Sequence, residues 1–176
     1  MTALVTWDRA ELARRRDDLL DVYADAMEVA PAAARARRSI VTAHLDRDGL
    51  RAVAAVDDDG RVVGVAYGYT GAPGQWWHDH VRTALQPALA QEWLDGAFEV
   101  CELHVRPGAQ RQGLGRGLLD LLLTDLRSRT AVLTTPDRET RARAFYRAGG
   151  WTDLVRDLRF PGDPRVFAVL GKRIDA

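Results

Sequence analysis

Cysteine is almost missing from this chain of 176 residues. Cys101 stands alone, so no disulfide can close within the chain, and a reducing cytoplasm is the expected setting. Lysine is equally scarce, Lys172 being the only one, and nearly all positive charge is therefore arginine. Neither sign of charge is in excess: 25 basic residues face 25 acidic ones, which implies no nucleic-acid partner. No apolar run approaches the roughly 20 residues that a membrane span needs, so no membrane is expected. Asp8, Arg9 and Glu11 arrive before any signal-type apolar core. What is present is ordinary for a globular protein, with 47% hydrophobic and 28% charged residues. A single domain over 1–176 with a sizeable core is the expectation.

Hydrophobic spacing gives the order of elements. Residues 2–7 read as a strand, and Asp8 caps a helix carrying Leu12, Leu19, Leu20, Tyr23 and Met27. Pro31 opens a second helix that Gly49 ends. Residues 50–70 form a hairpin around Asp57-Asp58-Asp59-Gly60. A loop with Trp76 and Trp77 then leads into a helical insertion through Val81, Leu85, Leu89 and Trp93. After the central segment come a strand at Ala131 to Thr135, a helix starting at Asp137 or Thr140, and two closing strands. The order is β-α-α-β-β-(helical insertion)-β-α-β-α-β-β, a mixed α/β domain.

The central segment is residues 98–126. Phe98 to Val105 has strand character and stops at Pro107-Gly108. Helical spacing begins after Gly113, with Leu114, Leu118, Leu121 and Leu122 on one stripe. A turn that opens straight into a helix leaves backbone N–H groups without intrahelical partners, at the positive end of the helix dipole. Gln110-Arg111-Gln112-Gly113-Leu114-Gly115-Arg116 therefore reads as an anion site, with glycines that let a phosphate approach and two arginines that add charge. A dinucleotide fingerprint fails because its third glycine position is Leu118, and a Walker loop fails for want of Gly-Lys-Ser/Thr.

Gln110 to Gly115 matches Q/R-x-x-G-x-G/A and follows Leu103-x-Val105-x-Pro107. A second motif, Ala142-Arg143-Ala144-Phe145-Tyr146 leading to Gly150-Trp151, matches A-x-x-F/L-Y-x-x-x-G-F/W. Together they resemble the GNAT superfamily of acetyl-CoA-dependent N-acetyltransferases, over roughly residues 50–173. Glu139 departs from the pattern, since many relatives carry asparagine there. The resemblance implies a central mixed β-sheet, splayed at the fourth strand and flanked by helices on both faces. Acetyl-CoA is the implied cosubstrate, bound through Gln110 to Arg116 and Tyr146. Backbone groups of Leu103, His104 and Val105 would hold its thioester and pantetheine ends.

The expected chemistry is direct transfer to a primary amine of a small molecule in a ternary complex. An amine that titrates at about 10.4 is protonated at neutral pH, so a base must act before attack. Glu99 is the candidate, at the position on the strand where resembling enzymes often carry a glutamate. Glu102 ranks second, because odd separation puts it on the opposite face of a regular strand. Tyr146 is the candidate acid that protonates the departing thiolate. Cys101 is read as a small packed residue rather than an acyl carrier. Trp76 and Trp77 could wall an acceptor pocket or pack as a lid. His78-Asp79-His80 lacks the cluster a metal site needs, so no metal is expected. Alternatives are a protein or peptide acetyltransferase and a non-catalytic coenzyme A-binding module. A homodimer is an open expectation, since relatives often dimerise.

Overall fold

The computed structural model describes residues 1–174. Among them, the strands form a seven-stranded sheet in the order β1-β2-β3-β4-β5-β7-β6. The chain divides into two compact units, Met1–Tyr69 with Val100–Thr124, and Thr70–Glu99 with Asp125 onward. Strand β4 (Phe98–Val105) contributes to both.

In the first unit, β1 (Ala3–Trp7), β2 (Arg51–Val56) and β3 (Val62–Thr70) pair antiparallel, with Ala54 opposite Val65 and Ala52 opposite Tyr67. Those residues face the helical layer of α1 (Arg9–Arg14), α2 (Arg16–Met27), α3 (Pro31–Arg35) and α4 (Arg38–His44). Leu12, Leu19, Leu20, Val22 and Val41 close the core there. The first helix is two rather than one. It turns at Arg15, whose guanidinium is tied to Glu11 at 3.1 Å and Asp18 at 3.0 Å. Asp8 caps it as its spacing predicts, accepting the Glu11 N–H at 2.7 Å. The second expected helix is likewise split, around Ala36–Arg37.

The opposite face of β2 and β3 carries small residues because α7 (Leu114–Leu123) lies close to it. A Cβ on Gly64 would fall 2.9 Å from Leu118 Cδ1, and one on Gly117 would fall 2.8 Å from Leu4 Cδ1. Leu118, Leu119 and Leu122 are buried while Leu114 and Leu121 are half-buried, so the apolar stripe is present but takes in Leu119.

In the second unit the helical insertion is also two helices, α5 (Trp76–Ala84) and α6 (Pro87–Leu94). Pro87 starts the latter, where its missing N–H costs no helical bond. Val81, Leu85, Ala90 and Leu94 pack with Val132 of β5 (Thr130–Pro136), Phe160 and Val169 of β7 (Phe167–Arg173). Strands β5 and β7 pair antiparallel in full register, and β6 (Thr152–Leu158) adds to β7. The β4–β5 ladder is parallel and registers Phe98 with Ala131 and Glu99 with Val132, although β5 continues to Pro136. A mixed sheet whose central parallel ladder stops this early is the splayed sheet that the resemblance implies. Among the described residues, no helix is long and apolar enough to cross a membrane.

Helix α8 (Arg141–Ala148) is fixed at both ends. Thr140, rather than Asp137, is its cap, accepting the Arg143 N–H at 3.1 Å. Its C-terminus closes on Gly150 at φ +82°, with the Trp151 N–H on the Tyr146 carbonyl and the Gly150 N–H on the Arg147 carbonyl. Arg143 is fully buried and bonds Asp137 and Asp153, both at 2.7 Å. Burial alone would raise the Asp137 carboxyl. The Asp157 N–H, Arg156 and Arg143 outweigh it and hold the group below its ordinary range. Asp137→Asn leaves a buried guanidinium short of its counter-charge and is expected to cost about 3–5 kcal/mol in urea unfolding. Because the folded value is depressed, this contribution is complete above the unfolded value of about 4 and fades as pH falls through the lowered folded one. The variant's acid-unfolding curve should therefore lose part of the wild-type dependence in that window.

Candidate active site

The first unit holds the amide row. Arg106 anchors the end of β4 by its N–H to the Val63 carbonyl and its Nε to the Val62 carbonyl, each at 2.8 Å. A single 3-10 turn at Pro107–Ala109 follows. The Gln110 side chain then reaches back to the Val105 carbonyl at 2.9 Å, bracing the loop on the strand it left. Arg111 adopts φ +63° and Gly113 φ +79°. For arginine that conformation costs about 1–2 kcal/mol, and glycine adopts it freely.

Helix α7 starts at Leu114, and the Gly117 N–H bonds the Gly113 carbonyl at 3.0 Å. The N–H groups of Leu114 and Gly115 have no acceptor one turn back, and they share the positive end of the helix. A Cβ built on Gly113 meets nothing within 4 Å, so the space before the turn is open. Arg111 and Gln112 are exposed beside it, and Arg116 is half-buried. These residues fit a bound diphosphate. Gly113→Ala places a side chain in a left-handed conformation at the mouth of this cradle. We expect it to weaken coenzyme A binding roughly tenfold, equivalent to about 1.4 kcal/mol, in isothermal titration.

Strand β4 changes character along its length. Phe98, Glu99 and Val100 are buried, whereas Cys101 to Val105 are half-buried, Leu103, His104 and Val105 among them. Cys101 packs against the core of the first unit. Glu102 bonds Arg37 at 2.6 Å through Oε1 and His104 Nε2 at 2.5 Å through Oε2. The Arg37 guanidinium lies 4.7 Å from the centre of the Tyr23 ring, which also meets the His104 ring edge-on at 5.1 Å. Burial would raise the Glu102 carboxyl, but the bond from His104 and the charges of His104 and Arg37 hold it low. Nearby, the Tyr67 hydroxyl and His44 Nδ1 are 2.9 Å apart. Burial, then Arg47, lowers His44 against the opposing pull of Glu102. Burial also pushes the Tyr67 phenol far up.

The second unit holds the two residues assigned acid–base roles. Glu99 is 6% exposed on β4, paired in register with Val132. Tyr146 is half-buried on α8, its ring 5.2 Å from Phe145 and 5.7 Å from Trp151. The tryptophans are not in a loop. Both lie in the first turn of α5, which starts earlier than its apolar spacing indicates because Asp79 reaches back to the Gly74 N–H at 3.1 Å. Trp77 is half-buried in the core of this unit, its Nε1 donating to Thr134 Oγ1 at 2.6 Å. Trp76 is 55% exposed and stacks on His80 and Phe160 at 4.6 and 5.2 Å. His78 is buried against Asp79, and Glu139 is exposed beside Arg147.

Residues 103–116 are thus gathered in one unit, and Glu99, Tyr146, Trp76 and Trp77 in the other. The Arg37, Tyr23 and His44 environment of Glu102 escaped the reading of the sequence. Those residues come from α2, from α4 and from the turn ahead of α4, far from β4 in the sequence, and no local spacing signals them.

Comparison with known proteins agrees with this architecture. The model of the acetyltransferase (GNAT) family matches residues 16–150. A GCN5-like protein acetyltransferase of Mycobacterium tuberculosis is 36% identical, with 97% of each chain covered. A provisionally assigned GNAT-family acetyltransferase from Desulfovibrio desulfuricans shares the fold at a TM-score of 0.69 and 20% identity, over 99% of this chain and all of that one. A provisionally assigned acetyltransferase from Salmonella typhimurium, solved with its cofactor acetyl-CoA, does so at 0.64 and 15%, over 100% and 95%. By the family match and the full-length relative, the chain belongs to the GNAT acetyltransferase family.

Proposed function

We propose that this acetyltransferase uses acetyl-CoA to acetylate a primary amine by direct attack in a ternary complex. The start of α7 carries the reading. Left-handed backbone at Arg111 and Gly113 turns the chain so that first-turn amides meet open space, where a diphosphate fits. Acetyl-CoA supplies an activated acyl thioester. Main-chain groups of Leu103 and Val105 orient that end, and residues 110–116 hold the diphosphate.

Glu99 takes a proton from the acceptor nitrogen, directly or through water, from its buried place on the central strand. Tyr146 gives a proton to the sulfur as the thiolate leaves, its ring fixed between Phe145 and Trp151. Because thiolates leave readily, the acid matters less than the base.

For the acceptor, the full-length relative named a protein acetyltransferase supports a lysine side chain on a protein. A small-molecule amine is the second reading, favoured by the exposed Trp76 ring stacked on Phe160, a surface suited to an ammonium or ring. Thiol release measured across single-lysine peptides and small amines tests the reading and separates the acceptor classes. Release from no amine, without acetyl-CoA binding in calorimetry, would end it. Glu99→Gln is expected to lower kcat/KM about 100-fold with acetyl-CoA affinity unchanged, and Tyr146→Phe to lower kcat about tenfold.

A further inference from the structure

A guanidinium in a partly enclosed position is costly unless oxygen acceptors surround it. Arg15, Arg16, Arg37, Arg51 and Arg106 of the first unit are half-buried, and each donates to a carboxylate, hydroxyl or carbonyl oxygen. Arg47, in the turn between α4 and β2, is half-buried too, yet it donates to no oxygen among the described residues. Its Nε is buried without a partner, whereas the two Nη groups, equally unbonded, reach solvent.

The surroundings of Arg47 belong to the cluster around Glu102. Its guanidinium lies 5.8 Å from the centre of the Tyr69 ring, and His44 meets the same ring edge-on at 4.9 Å. The charged and titratable groups facing His44 are Arg47, Arg37, Glu102, Tyr67 and Tyr69. Burial, then Arg47, lowers His44, and Arg37 adds to them while Glu102 opposes. Glu102 is already held by Arg37 at 2.6 Å and by His104 at 2.5 Å, and it does not reach Arg47. The cluster thus carries a guanidinium with no counter-charge, its Nη donors open, in the unit whose Leu103 is assigned to the thioester end.

We propose that Arg47 binds a carboxylate carried by the acceptor, and so selects amines that bear an acidic group. The planar fork of Nη donors matches the two oxygens of a carboxylate, and the paired charges strengthen both bonds. An amide of the same shape offers one oxygen and no charge. The carboxylate is either an acidic side chain beside the acceptor lysine or that of a free amino acid. Tyr69 backs the guanidinium, and its enclosed Nε keeps the fork from swinging away. The inference rests on the transfer reading above and names a substrate class for it.

Thiol release from acetyl-CoA by the full chain is measured on two acceptor pairs. One is a single-lysine peptide with glutamate or glutamine beside the lysine, and the other is lysine against lysinamide. Wild type is expected to favour the carboxylate member of a pair about tenfold in kcat/KM, mostly through KM, and the pair that shows it identifies the source. Arg47→Gln should erase that preference, and Arg47→Lys should keep part of it. A fold defect would slow both members and leave their ratio alone. No preference in either pair, or one that survives Arg47→Gln, overturns the proposal. So does a weakened acetyl-CoA affinity in Arg47→Gln, which would put the residue at the cofactor. NMR titration of His44 in wild-type protein needs neither a variant nor turnover. An anion on Arg47 offsets part of the pull that lowers His44, so its titration should move up with a carboxylate member and not with the matching amide. A His44 titration unmoved by both carboxylate members would sink the idea. A wild-type chain that releases thiol with no amine counts against the transfer reading, whereas the His44 titration still decides Arg47.

Discussion

An α-helix cannot satisfy the amides of its own first turn, and the first unit depends on where α7 is made to start. Arg106 pins the end of β4 to β3, Gln110 ties the loop to the Val105 carbonyl, and two left-handed residues turn the chain into the helix. Gly64 and Gly117 let that helix lie close to the sheet, so a methyl group at either would meet Leu118 or Leu4 below 3 Å. The amides are therefore fixed by packing on one side and left open on the other. A preorganised anion site needs that combination, since donors that must be ordered on binding lose affinity to entropy.

Buried charge is handled in two ways. In the second unit, Arg143, Asp137 and Asp153 form a closed network under α8, with Asp137 also taking the Asp157 N–H and Arg156. It fixes the helix that presents Tyr146. In the first unit, Glu102 is held between the Arg37 guanidinium and the His104 imidazole. Enclosing ionised groups is costly unless each is paired. The first network meets that condition by flanking one guanidinium with carboxylates, the second by setting one carboxylate between a guanidinium and an imidazole.

Much of the fold was legible because it is written in short-range patterns. The Asp8 and Thr140 caps, the Gly60 turn, the left-handed Gly150 and the strand–turn–helix around Gly113 are local, and each occurs where its residues require. The misreadings were local as well. The first helix is interrupted at Arg15 without proline or glycine, between Glu11 and Asp18 that both pair with its guanidinium. Asp79 starts α5 early enough to take both tryptophans out of the loop. Apolar periodicity registers neither an interruption of this kind nor a side chain that reaches back to the residues before a helix.

By itself, the sequence determined the mixed α/β order, the glycine turn at the head of α7 and the resemblance carried by two motifs. These depend on backbone propensity and on spacing within about thirty residues. The tertiary structure alone decided that Arg143 is wholly enclosed, that Trp77 is tied to Thr134 while Trp76 stays open, and that Glu102 sits between Arg37 and His104. Each joins side chains from different elements, and what a polar group becomes is set by the partners that burial leaves within reach.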